Sequence, residues 1–249
     1  MIATIQYKSK KHKIDLTQPI DISMPLRASE DNVNAWYVEP PKIEPATDGE
    51  WIAAVKEGAC INFNNIHFNP HAHGTHTECV GHILKKVHSI NQNLKQFFFY
   101  AEVLTVAPEM LNGDFVISKK QLQFGIGNKK RDAIILRTIP NTNEKLSAQY
   151  SHTNPPYLLE DAAIYLREKG VKHLLIDLPS IDKEKDDCQL LAHHAFWNTK
   201  GKLRLNATIT ELIFVPNRVN DGTYFLNLQI APIENDATPS KPILYKIID

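Results

Sequence analysis

The sequence predicts an α/β fold in a single domain over residues 1–249, built on a mixed, partly parallel sheet flanked by helices. Three stretches carry that reading. Asp132-Ala-Ile-Ile-Leu-Arg-Thr138 is a nearly continuous apolar run with β-branched residues, the composition of a central strand buried on both faces. Pro155 to Gly170 keeps Leu158, Leu159, Ala162, Ala163 and Leu166 at helical spacing, with prolines at its start and a glycine at its end. The buried-looking strand His173-Leu-Leu-Ile-Asp-Leu178 follows at once. Strand, helix and strand in that order imply a right-handed parallel crossover, with functional loops at the strands' C-terminal ends.

The other elements follow in order. Residues 3–15 alternate loosely and predict a hairpin with Ile5, Tyr7 and Ile14 inward. The next forty residues, rich in Pro, Asn, Asp and Glu, read as a long loop whose Trp36, Tyr37 and Trp51 either wall a pocket or anchor the loop. Cys60 to Phe68 alternates as a half-buried strand with a parity slip near Asn64-Asn65. Ser89-Ile-Asn-Gln92 and Ser118-Lys-Lys-Gln121 have the capping-box pattern of short helices. Residues 101–107 form a strand stopped by Pro108, and Gln189 to Trp197 a short helix. Glu211-Leu-Ile-Phe-Val215, Tyr224 to Ala231 and Ile243 to Ile248 are late strands, the last two separated by a Pro- and Asp-containing loop.

Composition narrows the function. Hydrophobic residues make up 43% and charged residues 22%, and 28 basic side chains balance 28 acidic ones, so a disordered chain is excluded. No basic stripe interleaved with aromatics is present, which argues against nucleic acid as a partner. There is no apolar run of signal-peptide or membrane-spanning length, so a cytoplasmic location without membrane attachment is expected. Three cysteines, Cys60, Cys79 and Cys188, without a Cys-x-x-Cys pair, argue against a disulfide framework.

One stretch stands apart: His71-Ala-His-Gly-Thr-His-Thr-Glu-Cys-Val-Gly-His82 holds four of the eleven histidines and a carboxylate. Imidazole with carboxylate suits Zn, Mn or Fe(II) better than Mg or Ca, which favour oxygen alone. His76, Glu78 and His82 are separated by even numbers, so extended backbone projects them from one face. His71 and His73 have the other parity and need a bend, which Pro70 and Gly74 supply. Cys79 reads as a small buried residue rather than a ligand.

Gly74-Thr75-His76-Thr77-Glu78 followed by His82 resembles the signature of the metal-dependent cyclase and kynurenine formamidase family, to which isatin hydrolase also belongs: His-x-Gly-Thr-His-x-Asp-x-Pro-x-His. Ile14-Asp15-Leu16-Thr17 leading to Met24-Pro25, and Leu175-Ile-Asp-Leu-Pro-Ser-Ile-Asp182, resemble two further segments of that family. His193 and Glu211 stand where it has a late His followed by a Glu. Three positions depart: Ala72 occupies the place of the first histidine, Glu78 that of the Asp, and Val80 that of the Pro. His71 or His73 must then substitute for the first ligand.

The resemblance implies a swivelling β/β/α-like cyclase fold and two divalent metals per chain, Zn or Mn. The metal ligands would be His71 (or His73), His76, Glu78, His193 and Glu211, with Glu78 shared and His82 as the catalytic proton carrier. His194 competes with His193, since adjacent helical residues diverge by about 100°. Asp177 and Asp182 are candidates for the rim or for capping. The reaction implied is hydrolysis of a C–N bond in a small amide, formamide or cyclic amide by activated water, in a homodimer or larger homo-oligomer. Two alternatives stay open, a single-metal hydrolase and a small-molecule binding protein that has lost turnover.

Overall fold

The computed structural model describes residues 1–248. At its centre eight strands form one sheet: β1 (Ile20–Asp21), β2 (His76–Glu78), β3 (Phe98–Val106), β4 (Ala133–Thr138), β5 (His173–Ile176), β6 (Thr208–Glu211), β7 (Gly222–Ile230) and β8 (Ala237–Lys246). Their spatial order is β7-β3-β4-β5-β6-β2-β8-β1, and β7 also pairs with β8, so seven strands close into a ring. From β3 through β6 neighbours run parallel. The remaining pairs are antiparallel. The sheet is mixed and partly parallel, as the sequence predicts. Its closure was not legible there, because it depends on the length of β8. One edge of that strand pairs with β2 and β1, and the other takes β7 along Ser240 to Lys246.

Alternation along the strands sends side chains to two layers. Ala133, Ile135 and Leu175 join Ala101, Val103, Leu226 and Leu244 on the inner face. Ile134, Leu136, Leu174, Ile176 and Ile209 face outward and are covered by the helices α2 (Lys119–Ile126), α3 (Glu160–Glu168) and α4 (Leu191–Trp197) through Leu122, Ala162, Leu166, Phe196 and Trp197. A fourth short helix, α1 (Ile90–Asn93), caps the inner layer with Ile90.

Three elements differ from expectation. Helix α3 starts at Glu160, not at the prolines, because Tyr157–Leu158 is taken up as a short parallel strand against Val116–Ile117. Gly170, in the left-handed region at φ 80°, lies just beyond its end as anticipated. The segment before the histidine motif is a strand only over Asn64–His67, paired with Lys42–Pro45, and it is exposed on both faces rather than half-buried. Glu211 ends β6 instead of opening a strand, and Leu212 turns the chain through the left-handed region at φ 52°. The N-terminal hairpin, Ile2–Tyr7 with Lys10–Asp15, forms as read, with Ile14 buried.

Candidate metal centre

Strand β2 lies between β6 and β8, and the register places His76 opposite Glu211 and Glu78 opposite both Ile209 and Ala237. Directly opposed residues share a face, so His76, Glu78 and Glu211 all project from the outer face, beneath α4. Thr77 and Thr210, one residue out of phase, bond each other at 2.8 Å on the inner face. The parity argument therefore holds for His76 and Glu78. It fails for His82, which lies in the 3-10 turn Val80–Ile83 and returns to Glu78 by helical spacing, its Nε2 3.8 Å from Glu78 Oε2.

Helix α4 supplies the roof. His193 points its Nε2 at Glu78 Oε1, 3.1 Å away, and lies 3.8 Å from Glu211 Oε1. His194 turns aside to Thr199 Oγ1 at 2.6 Å. Asp182 fixes this helix: it accepts the backbone N–H groups of Ala192 and His193 at 2.7 and 3.0 Å, and its Oδ2 also takes the Nδ1 proton of His193 at 2.6 Å. The capping role and the rim role proposed for Asp182 are thus one arrangement. Asp177 is buried away from the cluster, accepting from Thr138 and pairing with Lys145 at 2.7 Å.

Of the two candidates for the first ligand, His71 joins the cluster and His73 does not. His71 Nδ1 stands 3.2 Å from Glu78 Oε2, and its Nε2 donates to Asp236 Oδ2 at 2.9 Å. His73 instead accepts the Asn69 backbone N–H on its Nδ1 at 2.9 Å and lines a separate cleft of about 350 Å³ with Met24, Phe68 and Pro239. Ala72, between them, is fully buried. Cys79 is buried, its thiol donating to the His88 carbonyl at 3.3 Å.

Asp236 is the residue that sequence reasoning missed. It immediately precedes β8, whose pairing with β2 sets Ala237 opposite Glu78, and its backbone carbonyl accepts the Cys79 N–H at 3.0 Å. Its carboxylate touches both His71 and His82, the latter through Nδ1 at 3.3 Å. The only trace in the sequence is an Asp in a loop otherwise read as a connector.

The electrostatics are those of a site that demands positive charge. Burial alone would raise the Glu78 carboxyl, yet His82, His193 and His71 hold it well below its ordinary range. Burial would lower His193, but its contacts with Asp182 and Glu78 push it up to about 10. His71 behaves alike: burial opposes its charge, and Asp236 and Glu78 overcome that and raise it to about 10. A buried carboxylate persists only when such partners compensate it. Within this cluster two buried atoms nevertheless make no hydrogen bond to the described residues, His76 Nε2 and Glu78 Oε2, the latter paired with His71 Nδ1 at 3.2 Å. The other nitrogen of His76 donates to the Gly74 carbonyl at 3.0 Å, which leaves the Nε2 lone pair facing Glu211 Oε2, 3.4 Å away. An imidazole with one nitrogen anchored to a carbonyl and the other bare beside carboxylates is the usual disposition of a metal ligand. The residues present therefore fit a divalent cation. Ligand atoms of His71, His76 and Glu78, and again of Glu78, His82 and His193, lie within 4.8 Å of one another.

Beyond Asp182 the surface continues into a cleft walled by Trp36, Tyr150, Pro156, Pro179 and Ser180. Trp36 lines it and Tyr37 packs beside it on His152, both held in the left-handed region at φ 62° and 60°, a conformation that bulky side chains rarely adopt.

The chain is similar to proteins that bear on this geometry. It is 26% identical over 229 residues to a kynurenine formamidase of Bacillus cytotoxicus, covering 90% of this chain and 96% of that one. It is 25% identical over 232 residues to a kynurenine formamidase of Bacillus cereus, covering 92% and 97%. Among solved structures, isatin hydrolase A from Labrenzia aggregata superimposes with a TM-score of 0.67 at 13% identity, over 92% of this chain and 93% of that one. A protein of Bacillus stearothermophilus described as a metal-dependent hydrolase gives 0.65 at 18% identity, over 92% and 98%. These structural likenesses establish the fold. The cyclase family model matches residues 14–183. With more than half of its length matched, from the first hairpin through β5 to Asp182, the chain belongs to the cyclase family.

Proposed function

We propose that this chain is a metal-dependent hydrolase that cleaves the C–N bond of a small amide, formamide or cyclic amide. The observation that carries the proposal is the buried His76 Nε2, which has no hydrogen-bond partner among the described residues, inside a ring of imidazoles and carboxylates. Kynurenine formamidases and isatin hydrolase, to which the chain is similar, are named for such substrates.

In this reading His71, His76, Glu78, His193 and Glu211 would hold divalent cations, Zn or Mn and two per chain, and the two oxygens of Glu78 face His71 and His193. Cations bound in this set polarise an amide carbonyl and make water acidic enough to react near neutral pH. The chain's own groups do the rest. Glu211 is oriented by the Ile181 N–H, which its Oε1 accepts at 3.0 Å. His82 is solvent-accessible at the edge of the set, so its Nε2 is placed to take a proton from water as the new C–O bond forms. The same nitrogen returns that proton to the departing amide nitrogen as the C–N bond breaks, giving an amine and a carboxylic acid that loses its remaining proton to solvent.

The proposal extends to setting. The partner is a small molecule, not nucleic acid or a membrane, and the enzyme is a cytoplasmic homo-oligomer. Among the described residues no helix is long and apolar enough to cross a membrane, and all three cysteines are free.

Metal analysis of protein purified without chelator, followed by an amide and lactam hydrolysis screen with added Zn or Mn, tests this directly. Near two equivalents are expected, whereas near one indicates a single-cation enzyme and none a binding protein. His76→Ala should abolish uptake while leaving the fold intact. His82→Ala should keep the metal and lose about 10²- to 10⁴-fold in kcat. Unchanged metal content in the first, or full activity in the second, would remove those residues from the mechanism.

A further inference from the structure

The motif that holds the cluster has lost a histidine at Ala72, and the replacement, His71, does not reach the centre by the same route. Its ring is stacked on that of His82, centroids 4.3 Å apart, and both rings turn a nitrogen to one oxygen, Asp236 Oδ2, at 2.9 and 3.3 Å. The opposite nitrogen of each ring faces one oxygen of Glu78, Oε2, at 3.2 Å from His71 Nδ1 and 3.8 Å from His82 Nε2. Two imidazoles are thus clamped in parallel between an inner and an outer carboxylate. Asp236 is itself held from behind, since its backbone carbonyl accepts the Cys79 N–H at 3.0 Å and the next residue is in register with Glu78.

From this clamp we infer that Asp236 is the positioning residue that presents His71 as a metal ligand, in place of the missing histidine at 72, and that fixes His82 as the proton carrier. The inference rests on the metal-dependent reading above. A carboxylate that accepts an N–H on Nε2 of His71 keeps the proton there, so Nδ1 is the nitrogen left to bind a cation beside Glu78. By the same logic it holds a proton on Nδ1 of His82 and directs the exchangeable Nε2 toward the reacting side. Without Asp236, the partly exposed His71 ring on its turn keeps only its packing against His82 and His76 and the one carboxylate of Glu78, and nothing then fixes the proton on Nε2. Ala72 cannot take over, because its methyl group carries no donor atom.

The test is a double-mutant cycle on metal affinity, read by competition for Zn²⁺ against a chromophoric chelator in wild type, Asp236→Ala, His71→Ala and the double variant. Asp236→Ala should weaken the affinity about 10- to 100-fold, the usual effect of losing a carboxylate behind a ligating histidine. In the His71→Ala background the same change should cost less than twofold, since the carboxylate acts through a ring no longer there. Asp236→Asn, which preserves shape, serves if the alanine variant fails to fold and should fall between. A second readout does not depend on turnover or affinity: long-range ¹H–¹⁵N spectra of the zinc-loaded wild type should show His71 protonated on Nε2 and metal-bound through Nδ1. Wild-type affinity in Asp236→Ala, equal losses in both backgrounds, or a His71 proton on Nδ1 would each overturn the role of Asp236 while leaving the hydrolase reading standing. A wild type that binds no Zn²⁺ would overturn that reading, and this inference with it.

Discussion

Histidines in this chain have opposite fates that their identity alone does not announce. His71 and His193 each lie between two carboxylates and are raised, whereas His173, on β5, is buried against Phe99 with its Nδ1 2.9 Å from Thr208 Oγ1. Burial, with Lys172 and Arg204 nearby, lowers it to about 3. The motif's density of ligand types made His76, Glu78 and His82 legible, because such residues seldom crowd together without a cation. Asp236 was not legible, since its contacts arise only when the last strand docks. For His173 the sign of the linkage is plain. Its folded pKa lies below the unfolded value of 6.5, so the unfolded chain takes up the proton first. Stability from this group is full above 6.5 and falls as pH drops toward 3, by roughly 1.4 kcal/mol per pH unit. Urea unfolding of metal-free protein at pH 7 and pH 5 should therefore show wild type losing about 2 kcal/mol more than His173→Gln. Equal losses would mean that His173 does not titrate on unfolding in that window.

Elements with one dominant neighbour were read correctly, and elements shaped by a distant partner were not. Strands β4 and β5 announce themselves by uninterrupted burial and α3 between them by apolar residues at helical spacing, both of which local sequence records. The start of α3 does not, because the pairing of Tyr157–Leu158 with Val116–Ile117 overrides helical spacing. The same lesson applies to the 3-10 turn that carries His82, which an extended reading would have placed on a strand. That turn depends on Gly81: a Cβ there would lie 2.2 Å from the His88 carbonyl oxygen and 3.1 Å from its carbon. Backbone cannot yield as a flexible side chain does. Gly81→Ala should consequently push the turn off the following loop, destabilise the protein by about 1–3 kcal/mol and move His82 away from Glu78. A fall in kcat larger than the change in KM, alongside a lowered Tm, is the expected signature. A variant with wild-type Tm and kcat would show that the close approach to His88 has no part in placing His82.

At the scale of the molecule, ring closure assembles the site, and an arm outside the ring is left unexplained by anything within one chain. Closure sets β2 between β6 and β8, so donors from residues 71 to 236 meet on one outer face beneath α4. The arm, residues 42–68, carries Ile43, Trp51, Val55, Ile61, Phe63 and Ile66, all exposed, with Ile43 and Ile66 paired across the ribbon of Lys42–Pro45 and Asn64–His67. A two-stranded ribbon that is wet on both faces is marginal by itself, and an apolar stretch of this kind marks a contact surface. Its second strand ends four residues before His71, so whatever covers the arm also steadies the entry to the metal centre. A second copy of the chain is the occupant that the homo-oligomer proposal calls for. Phe63→Asp combined with Ile66→Asp removes two of its large side chains, each worth about 1.5–3 kcal/mol when buried, which together exceed a hundredfold in Kd. Sedimentation of wild type at micromolar concentration should give a multiple of 28.3 kDa, the double variant should sediment as the monomer, and its metal affinity should fall with it. A wild type that is monomeric at every concentration, or a double variant of unchanged mass, would detach the arm from assembly.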